Sequence, residues 1–297
     1  LPTTALAASP TYVRMYNENK KLISLNDGEC LTANDATGAS SYTGGAYVAR
    51  YDSGTLYLKG YHGVAADGQI YAHGDLNIEV VSDSSFSTSV SATNELYGIQ
   101  ADGKLNISGS GKLTVTANGN GDVYGICANE GVTISAPLNV QVGKVDSSKN
   151  GPVYGIYTKS GAISLSGNDM TVTATGGTSS AYGVYNAANT STAITNNGNI
   201  DISGKLTVNL NNGNSINYGI YTGSGSTITL DDAKLSIPYD ATLSIPSGFN
   251  YGIFNNDGNV VNKNRSDVTL NSGKSGSYGI WAKDGGNLTI ADSNVTV

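Results

Sequence analysis

Eight residues recur at a spacing that would set their side chains in one line: Tyr71, Gln100, Cys127, Tyr157, Tyr185, Tyr221, Phe254 and Trp281. Five in succession, Tyr157, Tyr185, Tyr221, Phe254 and Trp281, are aromatic. Each of the eight follows an Ile or Val of core type. Strand alternation therefore sends it outward, to the same side as the Gly that precedes the Ile or Val in most copies. A stripe of outward rings flanked by glycines leaves room for a sugar ring to lie flat, which makes these five the candidate carbohydrate-binding residues. The same stripe also reads as cross-strand stacking that steadies neighbouring strands, or as a docking patch for a partner. These readings stay open at the level of sequence.

Catalytic chemistry finds less to work with. Polysaccharide hydrolases and lyases need a carboxylate pair, or calcium with a basic residue to abstract a proton. Asp231-Asp232 is the only adjacent Asp pair, and it aligns with a turn between strands. His62 and His73 lie far from it along the chain. Thr114/Thr116 and Thr171/Thr173 suggest a regular threonine array, but Asn139/Gln141 interrupts it. Cys30 and Cys127 could form one bridge and otherwise read as unpaired, partly buried thiols. No Cys/His spacing for zinc is present. No catalytic residue, metal or cofactor is expected.

Net charge is -7 with 16 basic residues, three of them Arg. No Lys/Arg stripe is available to neutralise phosphates, so a nucleic-acid partner is not expected. No apolar run approaches the length of a membrane span. Ala5-Leu6-Ala7 has the small-x-small form of a signal-peptidase site, which gives an expectation of export to the medium or the cell surface.

The elements that position the aromatic stripe are legible in a repeat. Tyr97-Gly98-Ile99 returns as Tyr124-Gly125-Ile126, Tyr154-Gly155-Ile156, Tyr182-Gly183-Val184, Tyr218-Gly219-Ile220, Tyr251-Gly252-Ile253 and Tyr278-Gly279-Ile280, at intervals of 27, 30, 28, 36, 33 and 27 residues. Recurrence of that length marks a solenoid, whose units bury their apolar faces against one another. Within the unit at Ile99, Leu105/Ile107 and Leu113/Val115/Ala117 alternate with polar residues between Gly and Ser turns. That pattern predicts three short strands per rung.

The expected fold is therefore all-β, a single-stranded right-handed parallel β-helix of about eight rungs over residues 61–297. Eight rungs at about 4.8 Å each give a rod on the order of 40 Å long. Residues 1–60 form an irregular N-terminal segment and β cap, with strands at Tyr12–Tyr16, 22–25, 46–51 and 55–58. Ile70 to Ile78 aligns with Ile99 to Ile107, which proposes the register between rungs. Extra residues are assigned to corners at 186–199 and 238–241. The repeat stops at Val297 in mid-rung, giving an expectation that a further segment, such as a wall anchor, follows. The Tyr of each Tyr-Gly-Ile has the parity of the Ile and is expected inside or at a corner, beside a Gly against which backbone or a ring crowds.

The order ARYDSGTLYLKG (49–60), IYAHGDLNIEV (70–80) and then the repeated YGI-x-A…G-x-L-x-I…L-T-V resembles secreted β-helix proteins of gut Firmicutes, over roughly residues 46–297. It is similar, more distantly, to carbohydrate-binding right-handed β-helix proteins of polysaccharide-degrading clostridia. In those relatives an Asp precedes the Gly-Ile and acidic residues follow it to hold calcium. Here Tyr stands at that place in all seven copies. The following positions are mixed (His73, Asp102, Asn129, Lys159, Ala187, Gly223, Asn256, Lys283), so a regular calcium ladder does not carry over. The Gly-His-Gly and Arg-x-Lys motifs of polygalacturonases are absent. The resemblance implies a non-catalytic secreted or surface protein that binds a polysaccharide or surface glycan. A structural or adhesin stalk with a protein partner is the alternative, and a pectinase-like lyase or hydrolase the third reading.

Overall fold

The computed structural model describes residues 10–189, 196–211, 216–238, 250–270 and 278–297. The Ala5-Leu6-Ala7 motif and parts of the corner insertions, 190–195 and 239–241, lie outside the described residues. Among those residues the protein is all-β, with no helix, and the chain winds as a parallel β-solenoid.

Each turn contributes to three stacks of strands. The first, which carries the Tyr-Gly-Ile motif, runs through Ile70–Ala72, Leu96–Ala101, Val123–Ala128, Val153–Thr158, Ala181–Asn186, 217–222, 250–255 and Tyr278–Ala282. These eight passages make about seven turns. The second stack runs from Thr55–Lys59 through Leu76–Ser82 and Leu105–Gly109 to Leu288–Ile290, and the third from His62–Ala65 to Asn294–Thr296. Every pairing within the third stack is parallel.

The register is the one the repeat alignment proposes. Ile70 pairs with Ile99, Tyr71 with Gln100 and Ala72 with Ala101, then Leu76 with Leu105 and Ile78 with Ile107. A one-residue slip would turn every apolar side chain of a strand out to solvent, so burial itself enforces this pairing. The strand Leu113–Gly119 shows the alternation cleanly, with Leu113, Val115 and Ala117 fully buried and Thr114 and Thr116 facing out. Side chains the size of Leu113 or Val115 each contribute on the order of 1.5–3 kcal/mol by leaving water.

The N-terminal strands are antiparallel. Tyr12–Tyr16 and Leu22–Asn26 form a hairpin, as do Ala49–Asp52 and Thr55–Lys59. Tyr12–Tyr16 also pairs antiparallel with Ile70–Ala72 and so occupies an edge that the first stack would otherwise leave bare. One boundary differs from expectation. Thr55–Lys59 and His62–Ala65 already pair in parallel with strands of the next turn, so the parallel stack begins at Thr55 and not after residue 60. That first turn lacks the Tyr-Gly-Ile signature, which is why the repeat does not reveal it.

The corner after the first stack holds buried polar groups that bond to the backbone. Thr158 Oγ1 donates to the Ser160 carbonyl at 2.7 Å, and Asn255 Nδ2 donates to the Asn259 carbonyl at 2.9 Å. Asn262 is different. It pairs with Leu230 on one side and Ile290 on the other, in an inward column otherwise filled by Ile or Leu. It is completely buried, and neither side-chain nitrogen nor oxygen has a hydrogen-bond partner among the described residues. A buried amide without partners costs about 1–3 kcal/mol. Asn262→Leu is therefore expected to raise stability by about 1–2 kcal/mol, read from the urea midpoint; an unchanged or lower midpoint would show that the amide is satisfied or that Leu does not fit.

Candidate functional site

The outer face of the first stack carries two columns of rings. Strand pairing aligns Tyr97, Tyr124, Tyr154, Tyr182, Tyr218, Tyr251 and Tyr278 one above another. Successive centroids in this column are 4.7–5.1 Å apart, with planes within 15° of parallel. Tyr157, Tyr185, Tyr221 and Phe254 form the second column, at 5.3, 4.6 and 5.4 Å with planes within 4°. Trp281 continues it by strand register and meets Tyr278 edge-on at 4.6 Å. Between the columns the rings cross at steep angles, as for Tyr182 and Tyr185 at 4.8 Å and 82°. The result is a herringbone that runs along the rod.

The five expected residues thus do share one outward column, but two details of the sequence reading are corrected. The Tyr of Tyr-Gly-Ile is not inside. It faces out, half-buried in most copies, buried at Tyr124 and exposed at Tyr278, while the Gly faces in. The reason is a slip in alternation, since Gly and Ile are buried in succession and the ladder register skips the Gly. The stripe is also not flanked by open glycine. Each ring of the second column is bordered by the first column, and parallel rings with centroids this close overlap face on face in an offset stack. What the surface offers is a series of ring edges, one pair per rung, and not a flat platform. Phe254 is 9% exposed, the most covered of the five.

Residue spacing alone does not reveal the first column, although the sequence carries a signal for it. Tyr-Gly-Ile-Tyr places two aromatics three residues apart, which in an unbroken strand puts them on opposite faces. Only a local bend can bring both to one face, and the intervening Gly is the residue that permits it.

Burial governs the electrostatics of this face. It raises the phenols of Tyr124, Tyr154, Tyr185 and Tyr218, and it pushes Tyr157 up to about 12. Tyr97 is raised first by burial and then by Glu95, whose Oε2 accepts the Tyr97 hydroxyl at 2.7 Å. Above pH 10, unfolded tyrosines release protons that the folded phenols keep, so the unfolded state binds fewer protons and stability falls as pH rises. The urea midpoint is expected to hold steady from neutral pH and then drop steeply through the window from about 10 to 12, together with a cooperative rise in phenolate absorbance. Gradual, non-cooperative phenolate formation from pH 10 with the fold intact would contradict this.

The other candidates are spent in structure. Cys30 and Cys127 are both buried and free, and burial pushes the Cys127 thiol up to about 12. Asp231 bonds Lys263 at 3.3 Å and Asn264 at 2.6 Å, and Asp232 faces Arg265 at 3.7 Å, so the adjacent Asp pair serves surface contacts across rungs. His62 bonds Ser85 at 2.9 Å, and His73 bonds Asp102 at 2.7 Å. Among the described residues no group of three His, Cys, Asp or Glu side chains stands close enough to hold a metal ion. In comparisons with known proteins, no family model matches the sequence, and no curated protein and no solved structure matches it either.

Proposed function

We propose that this β-solenoid is a non-catalytic secreted or cell-surface protein that binds a linear polysaccharide or surface glycan along its aromatic face, through Tyr157, Tyr185, Tyr221, Phe254 and Trp281. The observation that carries the reading is the herringbone, which presents a similar pair of ring edges at successive rungs from Tyr157 to Phe254. A translationally repeating ligand laid along these rungs meets a similar contact at each of them, so weak contacts add along one rigid body. Aromatic edges with hydroxyl tips offer both apolar contact and hydrogen bonds, as a sugar chain requires.

A second reading has its own observation. The ring faces are covered by neighbouring rings, which suits a stiff stalk that presents itself to a protein partner. The two readings separate in one experiment. Trp281 is the only tryptophan and lies at the end of the second column, so its fluorescence reports on the face directly. Titration with linear polysaccharides is expected to give a saturable change, and Tyr221→Ala is expected to weaken it by about tenfold or more. A glycan array with no signal for the wild type, or with a signal unchanged in Tyr221→Ala and Trp281→Ala, would reject the glycan reading and favour the stalk.

A further inference from the structure

Ahead of the herringbone, on the same outer surface, Arg14 and Tyr71 are cross-strand partners. The Arg14 guanidinium carbon lies 4.5 Å above the Tyr71 ring, and Arg14 Nε is buried without a hydrogen-bond partner among the described residues. Arg14 lines a cleft of about 150 Å³ at the junction of the N-terminal hairpin with the first turn. Asp67 lines the same cleft from the turn before Ile70. Arg50 is paired with Asp52 and Arg265 with Asp232, but no carboxylate of the described residues lies within 4.0 Å of Arg14. Two opposite charges therefore face one small cleft without neutralising each other.

The walls around them are fixed. Tyr71 donates its hydroxyl to Asp102 at 2.5 Å, on the oxygen that also holds His73, and Gln69 Nε2 donates to Gln100 at 2.6 Å. The Tyr16 ring lies directly over Gly68, where a Cβ would collide with it. Burial raises the Tyr16 phenol; Asp67 pushes it further up and Arg14 pulls it down, so both charges act at the cleft wall. Leu22, 48% exposed, adds apolar surface at the rim.

We infer that this cleft binds a small zwitterion of the α-amino-acid class, with its carboxylate on the Arg14 guanidinium and its ammonium on Asp67. A simple anion would meet Asp67 and a simple cation would meet Arg14, whereas a ligand carrying both charges a few bonds apart satisfies the two together. A guanidinium held by ring stacking suits a planar carboxylate, and fixed walls lower the ordering cost of binding. The Tyr16 ring and Leu22 favour an apolar side chain on the ligand. Asp102 and His73 are bonded to each other and to the Tyr71 hydroxyl.

The test is a thermal-shift screen of the full chain against the common α-amino acids at millimolar concentration, followed by calorimetry. Leucine is expected to bind saturably. N-acetylleucine, which lacks the ammonium, and leucinamide, which lacks the carboxylate, are each expected to bind at least about tenfold more weakly. Arg14→Gln and Asp67→Asn are expected to lose leucine binding by a similar factor. Asp67 is exposed, so Asp67→Asn keeps the fold and the test holds even where Arg14→Gln does not fold. No shift with any amino acid, or equal binding of the blocked analogues, overturns the inference; so does full affinity in Asp67→Asn.

Discussion

Gly155→Ala is expected to destabilise the protein by about 3 kcal/mol, measured as a lowered urea midpoint by circular dichroism. Gly155 is the glycine of a Tyr-Gly-Ile copy and faces the interior. A Cβ there would stand 2.6 Å from the Gly183 carbonyl oxygen of the next rung and would also strike a methyl of Val172 from the third stack. The oxygen is backbone, between Tyr182 and Val184, which are both paired with the strands on either side, so it cannot swing away as a side chain would. Alanine restricts the unfolded chain more than glycine does, which favours folding by about 0.4–1 kcal/mol. The steric term is larger and decides the sign. The same contact recurs at Gly98, Gly125, Gly183, Gly219 and Gly252, where an added Cβ would stand 2.5–2.6 Å from the next glycine's carbonyl oxygen. Gly45, with nothing within 4 Å, provides the control, and alanine there is expected to change stability by less than about 0.5 kcal/mol. A Gly155→Ala midpoint as close to the wild type as that control would show that the rungs are not held at this spacing by bare glycine.

Tyr185→Ala is expected to cost about 2–4 kcal/mol, with Tyr185→Phe costing under about 1. Tyr185 touches four rings: Tyr154 at 5.0 Å, Tyr157 at 5.3 Å, Tyr182 at 4.8 Å and Tyr221 at 4.6 Å. Each such pair contributes about 0.5–1.5 kcal/mol beyond area burial, but half-burial keeps the total below that of a fully enclosed aromatic. Thermal and urea unfolding of both variants check it. A loss under about 1 kcal/mol in Tyr185→Ala would mean that the stacked rings do not hold the rungs together. The comparison also bears on function, because a ring that matters for stability and for glycan affinity alike carries both roles on one surface.

Some of this was readable from the chain alone, and for a physical reason. Alternation of period two is a local property, so Leu113, Val115 and Ala117 declare a buried face without reference to anything else. A repeat stacked on itself also states its own register: aligning Ile70 to Ile78 with Ile99 to Ile107 is the same operation as pairing the strands, and the solenoid class and most strand positions follow. The single outward column of Tyr157, Tyr185, Tyr221, Phe254 and Trp281 was legible for the same reason.

What the rings do with that column depended on contacts between turns. Whether Gly155 faces in or out is decided by how closely Gly183 and Val172 approach it, from positions 28 and 17 residues away in sequence. That approach breaks the alternation at Gly155, shifts the parity of Tyr154 and turns an expected glycine-bordered platform into a herringbone of covered faces. The cleft at Arg14 and the unsatisfied amide of Asn262 arise in the same way, from partners supplied by other turns of the chain. Sequence alone determined the solenoid, its period, its register and the outward line of aromatics. Tertiary structure alone decided which surface of each ring remains free, because that is set by the spacing of rungs and by side chains that meet only once the chain is wound.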